Sequence, residues 1–116
     1  MSKLNPRGIP FEINGQEYRF LFTLSVVDEV QELYDAPVSS VIAKMADDRE
    51  VYDVIANITA IMINDELKRT GSAEKEISVR DVKWMIDVPM ADKLVKVIMQ
   101  SYGYSLPDPD EDEDPN

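Results

Sequence analysis

The 116-residue sequence contains no cysteine and no histidine. The first absence excludes disulfides and thiolate nucleophiles, and the two together exclude the usual zinc sites built from Cys and His. The side chain most often used for proton transfer near neutral pH is therefore also missing. The four glycines stand singly, so the chain has no glycine-rich loop to cradle a phosphate. We expect no catalytic residue, no cofactor and no metal site.

Basic residues are scarce, with 12 Lys and Arg against 23 Asp and Glu, which gives a net charge of −11. Six of the acids lie within residues 107–116, where there is no basic residue at all. Binding to a nucleic-acid backbone requires clustered Lys and Arg, so the composition disfavours that class of partner. The acids between Asp47 and Asp53 leave a carboxylate-only cation site open, but acids at the start of a helix explain them equally well.

Long hydrophobic runs are absent too. Apolar stretches such as residues 61–63 fall far below the roughly 18 residues that a membrane-spanning helix needs, and the first residues do not resemble a signal peptide. We expect a cytoplasmic protein that does not bind membranes. The composition suits one domain over residues 9–106, with a flexible segment at 1–8 and a disordered acidic tail at 107–116.

The strongest local signal is Asn14-Gly15 between two segments of alternating character, which predicts a β-hairpin with strands near residues 9–13 and 16–22. The expected buried side chains are aromatic or aliphatic: Phe11, Ile13, Tyr18, Phe20 and Phe22. Because a lone hairpin is marginal in water, this face must pack on helices.

Helical spacing predicts five helices after the hairpin. The first is capped by Thr23 or Ser25, has Asp28 and Glu29 in its first turn, and runs to about Tyr34 with Leu33 on its inner stripe. Pro37 opens a short second helix, and the third spans about 48–70 and stops at Gly71. Ser78 and Asp81 form a capping box for a fourth helix to about residue 87. The fifth starts at Pro89, with Gly103 just beyond its end. The fold class is therefore mainly α, an N-terminal hairpin packed on about five helices.

The third helix is apolar around most of its circumference, which is typical of a helix at the centre of a bundle or at a subunit interface. Five side chains lie beside or away from the predicted core stripes and form our candidate surface for a partner or for self-association: Tyr52, Ile63, Leu67, Trp84 and Met99. Trp84 is the most informative of them, since Trp is enriched at binding surfaces. A Trp folded over a neighbouring loop explains it equally well.

The order of elements resembles the tail assembly chaperones of long-tailed bacteriophages and related prophages. The resemblance covers roughly residues 9–105 and is carried by the hairpin "FEINGQEYRFLFT", the helical segments "VVDEVQELYDAPVSSVIAKM" and "VIANITAIMINDELKRTG", and "ISVRDVKWMIDVPMADKLVKVIMQSYG". It implies a helical, non-enzymatic protein that binds the tape measure protein and helps recruit tail tube subunits. It also implies work in the host cytoplasm and absence from the mature virion.

Other classes remain open at this point. The chain could be another phage structural component, such as a head–tail joining or minor tail protein, or a small acidic regulator that mimics DNA and acts through its tail. A magnesium-dependent enzyme is the last alternative. Self-association into a homo-oligomer is compatible with the broad apolar helix surface.

Overall fold

The computed structural model describes residues 7–105, with the backbone alone described for residues 104 and 105. Within this range a hairpin is followed by five helices, which confirms the predicted fold class. In chain order the elements are β1 (Ile9–Ile13), β2 (Gln16–Phe20), α1 (Leu24–Tyr34), α2 (Val38–Ala43), α3 (Val51–Arg69), α4 (Val79–Met85) and α5 (Val88–Ser105). A short 3-10 turn, Lys44–Ala46, continues α2.

The acidic tail at 107–116 and residues 1–6 of the expected flexible N-terminus lie outside the described residues. Gly8, by contrast, is held against β2: its carbonyl oxygen accepts a hydrogen bond from Arg19 Nη1 at 3.2 Å. A Cβ atom at Gly8 would lie 2.9 Å from the carbonyl oxygen of Phe20, and the φ of +97° also favours glycine. None of the helices between residues 7 and 105 combines the length and apolar character that crossing a bilayer requires.

The hairpin forms at the predicted place, although β2 ends at Phe20 and not at residue 22. Asn14 and Gly15 have φ values of 52° and 84°, as a two-residue turn with two left-handed positions requires. The antiparallel register places Ile9 opposite Phe20 and Ile13 opposite Gln16. Ile13, Tyr18, Phe20 and Phe22 are buried and Phe11 is half-buried, so the predicted face does pack into the core.

Polar contacts fix the hairpin and the start of α1 on α3. The backbone N–H of Arg19 donates to Glu66 Oε1 at 2.7 Å, which satisfies a donor on the outer edge of β2. The Thr23 hydroxyl donates to Asp65 Oδ2 at 3.1 Å and also accepts from the backbone N–H of Val26 as the cap of α1. The hairpin and the start of α1 are therefore both attached to the last turns of α3, which is distant from them in sequence.

The predicted details of α1 need two corrections. Because Thr23 is the cap and the helix begins at Leu24, Asp28 and Glu29 lie in the second turn and not in the first. Leu33, predicted to face inward, is exposed. It lies with Glu29, Glu32 and the half-buried Ile61 at the edge of the core, where the last turn of α1 has little to pack against.

The central element is α3, which contacts β2 and three of the other helices, α1, α4 and α5. It starts at Val51, later than predicted, because Asp47 Oδ1 accepts from the backbone N–H groups of Arg49 and Glu50 and holds residues 47–50 in a turn. The largest fully buried side chains come from the hairpin and from α1, α2, α3 and α5: Ile13, Phe20, Val26, Val30, Val41, Val54, Ile55, Ile58, Met62, Ile63, Leu94 and Ile98.

The predicted capping box of α4 is present, with Ser78 Oγ accepting from the N–H of Asp81 and Asp81 Oδ2 accepting from the N–H of Ser78. The prediction for Gly103 was wrong, since this residue lies inside α5 and has no positive φ. The last turns of α5 pack on the hairpin, and the Tyr102 ring meets Phe22 edge-on at 5.5 Å. This packing stabilises the helical conformation beyond Gly103, a residue type of low helix propensity.

Candidate protein-binding surface

The surface is organised by α4, a seven-residue helix seated on α3. Val82 is fully buried beside Ala56 and Ala60, whose small side chains let the two helices approach closely. The connection before α4 is fixed by Asn64, whose Oδ1 accepts from the N–H of Ile77 at 2.7 Å and whose Nδ2 donates to the Ile77 carbonyl oxygen at 2.8 Å. The outer side of α4 is therefore held in a defined place.

Trp84 lies on this outer side and is 81% exposed. Helical geometry explains its position, because two residues advance about 200° around a helix and Val82 points into the core. Arg80, one turn earlier, is exposed on the same side, and its guanidinium has no hydrogen bond or ion pair with any of residues 7–105. Within residues 7–105, the outer face of α4 thus presents a large aromatic side chain beside a cation that has no ion-pair partner in that range.

One recess lies between α4, α3 and the connection before α4, and we call it the Leu67 hollow. It is open and measures about 420 Å³. Its apolar lining consists of Tyr18, Ile63, Leu67, Ile77, Trp84 and Met85. Its charged lining is mostly acidic and consists of Glu74, Lys75, Glu76 and Asp81.

A second recess lies on the other side of α4, between α3 and the start of α5, and we call it the Val88 groove. It measures about 300 Å³ and is mainly apolar. Its lining consists of Tyr52, Asp53, Ile55, Ala56, Val82, Lys83, Ile86, Asp87, Val88 and Ala91. Lys83 Nζ pairs with Asp53 Oδ1 at 2.8 Å across its edge and joins α4 to α3.

Electrostatics in both recesses favour neutral or basic partners. In the Leu67 hollow, burial raises the pKa of the Tyr18 hydroxyl, and the nearby carboxylates of Glu74 and Glu66 raise it further. Tyr18 is therefore a neutral side chain over the physiological pH range. In the Val88 groove two carboxylates stand against one ammonium group, which leaves an excess negative charge at the rim.

The structure brings three of the five candidate residues to the surface of these two recesses, and a fourth, Ile63, lies at the buried base of the Leu67 hollow. Tyr52 is about half exposed in the Val88 groove, while Leu67 and Trp84 line the Leu67 hollow. Ile63 was wrongly assigned to the surface: it is 1% exposed and forms part of the core beneath the hollow, because the hairpin and α4 cover that side of α3. Met99 is about half exposed on α5 but lines neither recess.

Sequence reasoning missed Val88, which is 55% exposed at the mouth of the Val88 groove. The helix was predicted to open at Pro89, so Val88 counted as part of a connection. Leu24 was also missed: it is 83% exposed at the first position of α1, just after the cap. A large apolar residue directly after a predicted N-cap is the signal that could have identified it.

Three of the acids between Asp47 and Asp53 have local partners. Asp47 accepts backbone hydrogen bonds, Glu50 pairs with Lys44 at 3.3 Å, and Asp53 pairs with Lys83. Among residues 7–105 there is no group of three or more acidic side chains placed to hold a metal ion. No protein-family model, no curated protein and no solved structure matches the chain.

Proposed function

We propose that this chain is a non-enzymatic protein-binding assembly factor of the phage tail assembly chaperone type. In this role it binds the tape measure protein in the host cytoplasm, helps to recruit tail tube subunits, and is absent from the finished virion. The observation that carries the proposal is the exposure of Trp84 above the Leu67 hollow, since a large exposed apolar side chain beside an apolar recess is typical of a protein-binding site.

The charges around the Leu67 hollow indicate the chemistry of the client. Glu74, Glu76 and Asp81 outnumber Lys75, and Glu76 also pairs with Lys68 at 3.6 Å. An apolar helical segment flanked by Lys or Arg would place its apolar residues against Trp84 and Leu67 and its cations against the acidic rim. Such complementarity raises the rate and the specificity of association more than the affinity.

Co-expression with the product of a neighbouring long, coiled-coil-rich reading frame tests the client. We expect the wild-type chain to capture that protein and Trp84→Glu to lose it, because the substitution adds charge where the contact should be dry. Met99→Glu is the matched control, since Met99 is an exposed apolar residue that lines neither recess. Equal capture by Trp84→Glu and wild type, with the helical signal intact, would contradict the proposal.

Two further measurements separate the competing classes. Mass spectrometry of purified particles should not find the chain, whereas a head–tail joining or minor tail protein would persist there. Deletion of residues 107–116 should leave client capture intact, whereas a regulator that acts through its acidic tail would lose its partner.

A further inference from the structure

The Val88 groove has the size and polarity to receive one large aromatic side chain. Its floor is formed by the buried residues Ile55, Ala56 and Ala91, and its mouth by the partly exposed Tyr52 and Val88. An apolar cavity of about 150 Å³ can hold a benzene-sized molecule, so the roughly 300 Å³ of this groove can hold an indole ring. Trp84 of the same chain does not line the groove, because it lies on the other side of α4.

The groove and the Arg80 side of Trp84 carry charges of opposite sign, whereas the Leu67 hollow on the other side of Trp84 is acidic. Lys83 pairs with Asp53 at the rim, which leaves Asp87, whose Oδ1 also accepts from the Met90 N–H at 3.0 Å, as the excess negative charge. Trp84 is accompanied by Arg80 on the preceding turn of α4, whose guanidinium has no partner among residues 7–105. A Trp84 side chain entering such a groove would therefore bring a cation to an acidic rim.

We propose that the Val88 groove is the binding site for Trp84 of a second copy of this chain. Trp84 and the groove lie on different sides of one short helix, and a two-fold arrangement of two chains would place both Trp84 side chains in grooves at once. Isologous dimers of this kind are the commonest oligomers. The inference goes beyond the proposed function and does not rest on it, because it concerns copies of this chain alone.

Molar mass by light scattering over a concentration series tests the inference. We expect wild type to approach twice 13.2 kDa, and Trp84→Glu and Val88→Glu each to raise the dimer Kd more than about tenfold. Val88→Glu is suited to the test because it adds charge at the mouth of the groove, while an acid in the first turn of α5 is favoured by the helix dipole. Leu24→Glu is the matched control. Leu24 is as exposed as Trp84 and, like Val88, is the first residue of a helix. The variant should leave the dimer intact.

A mixture of the two variants distinguishes this binding site from a direct Trp84–Trp84 contact. Trp84→Glu keeps an intact groove and Val88→Glu keeps an intact Trp84. An equimolar mixture should therefore form a mixed dimer in which Trp84 of one chain occupies the groove of the other. A mixture that stays monomeric, a monomeric wild type or a monomeric Leu24→Glu would overturn the inference. If Trp84→Glu loses its helical signal, Arg80→Glu at the neighbouring exposed position takes its place.

Failure of this inference and failure of the proposed function give different results. Val88 does not line the Leu67 hollow, so Val88→Glu should lose self-association and still capture the client. Because Trp84 lines that hollow, self-association and client capture should compete in the wild-type chain. Dimerisation without client capture would instead refute only the proposed function.

Discussion

Replacement of Phe20 by Ala tests how far the hairpin is part of the core. Phe20 is 1% exposed and its ring centroid lies 6.2 Å from that of Phe11. Truncation of a fully buried Phe costs about 3–5 kcal/mol, from the lost transfer free energy and the cavity that remains. Since domains of this size unfold with about 5–15 kcal/mol, Phe20→Ala should remove a large fraction of the stability.

Urea unfolding followed by far-UV circular dichroism measures this loss, with the thermal midpoint as a second readout. A loss of 3 kcal/mol should lower the midpoint by more than about 10 °C in a domain of about a hundred residues. Phe11→Ala is the matched control, because the same side chain is removed from a half-buried position in the facing strand and the cost should be clearly smaller. A cost below about 1 kcal/mol for Phe20→Ala and also for Phe22→Ala would show that the hairpin is peripheral.

Three further predictions concern the tail, a tyrosine and the connection before α4. Ending the chain after Leu106 should leave the thermal midpoint within a few degrees or raise it, because the removed acids repel one another; loss of most of the helical signal would contradict this. Burial raises the pKa of Tyr18 above 10.0, so its contribution to the free energy of unfolding is complete below about pH 10 and is lost as the pH rises above it. Urea unfolding at alkaline pH should therefore show a weaker pH dependence in Tyr18→Phe. Asn64→Ala removes both hydrogen bonds to Ile77 and should lower the free energy of unfolding by about 1–3 kcal/mol. Amide hydrogen exchange should then increase in α4 before it increases in α1.

The order and type of the elements could be predicted because each has a local cause. The Asn14-Gly15 turn, the Thr23 cap and the capping box at Ser78 involve residues close in sequence, and all three occur in the structure, Thr23 being one of the two predicted cap candidates. The boundaries were less predictable where a side chain forms an unexpected local bond. Asp47 delays the start of α3 by holding a turn, which helical periodicity does not reveal.

Burial depends on tertiary contacts and was harder to predict. Ile63 and Leu67 are four residues apart on one face of α3, yet the first is buried and the second only partly buried. Conversely, Leu33 is in phase with Val26 and Val30 but lies at the edge of the core. A periodic pattern indicates which side chains share a helix face, and the lengths of the neighbouring elements decide how much of that face is covered.

The exposure of Trp84 follows from the small size of α4 and not from a defect in packing. A helix of two turns on one neighbour fully buries a single side chain, Val82, so the opposite side must face solvent. On that side polar residues would cost nothing in stability, and the neighbouring positions are in fact Arg80, Asp81 and Lys83. A tryptophan among them contributes little to the stability of the monomer and adds exposed apolar surface. Both proposed contacts, with a client and with a second copy of the chain, would bury this side chain.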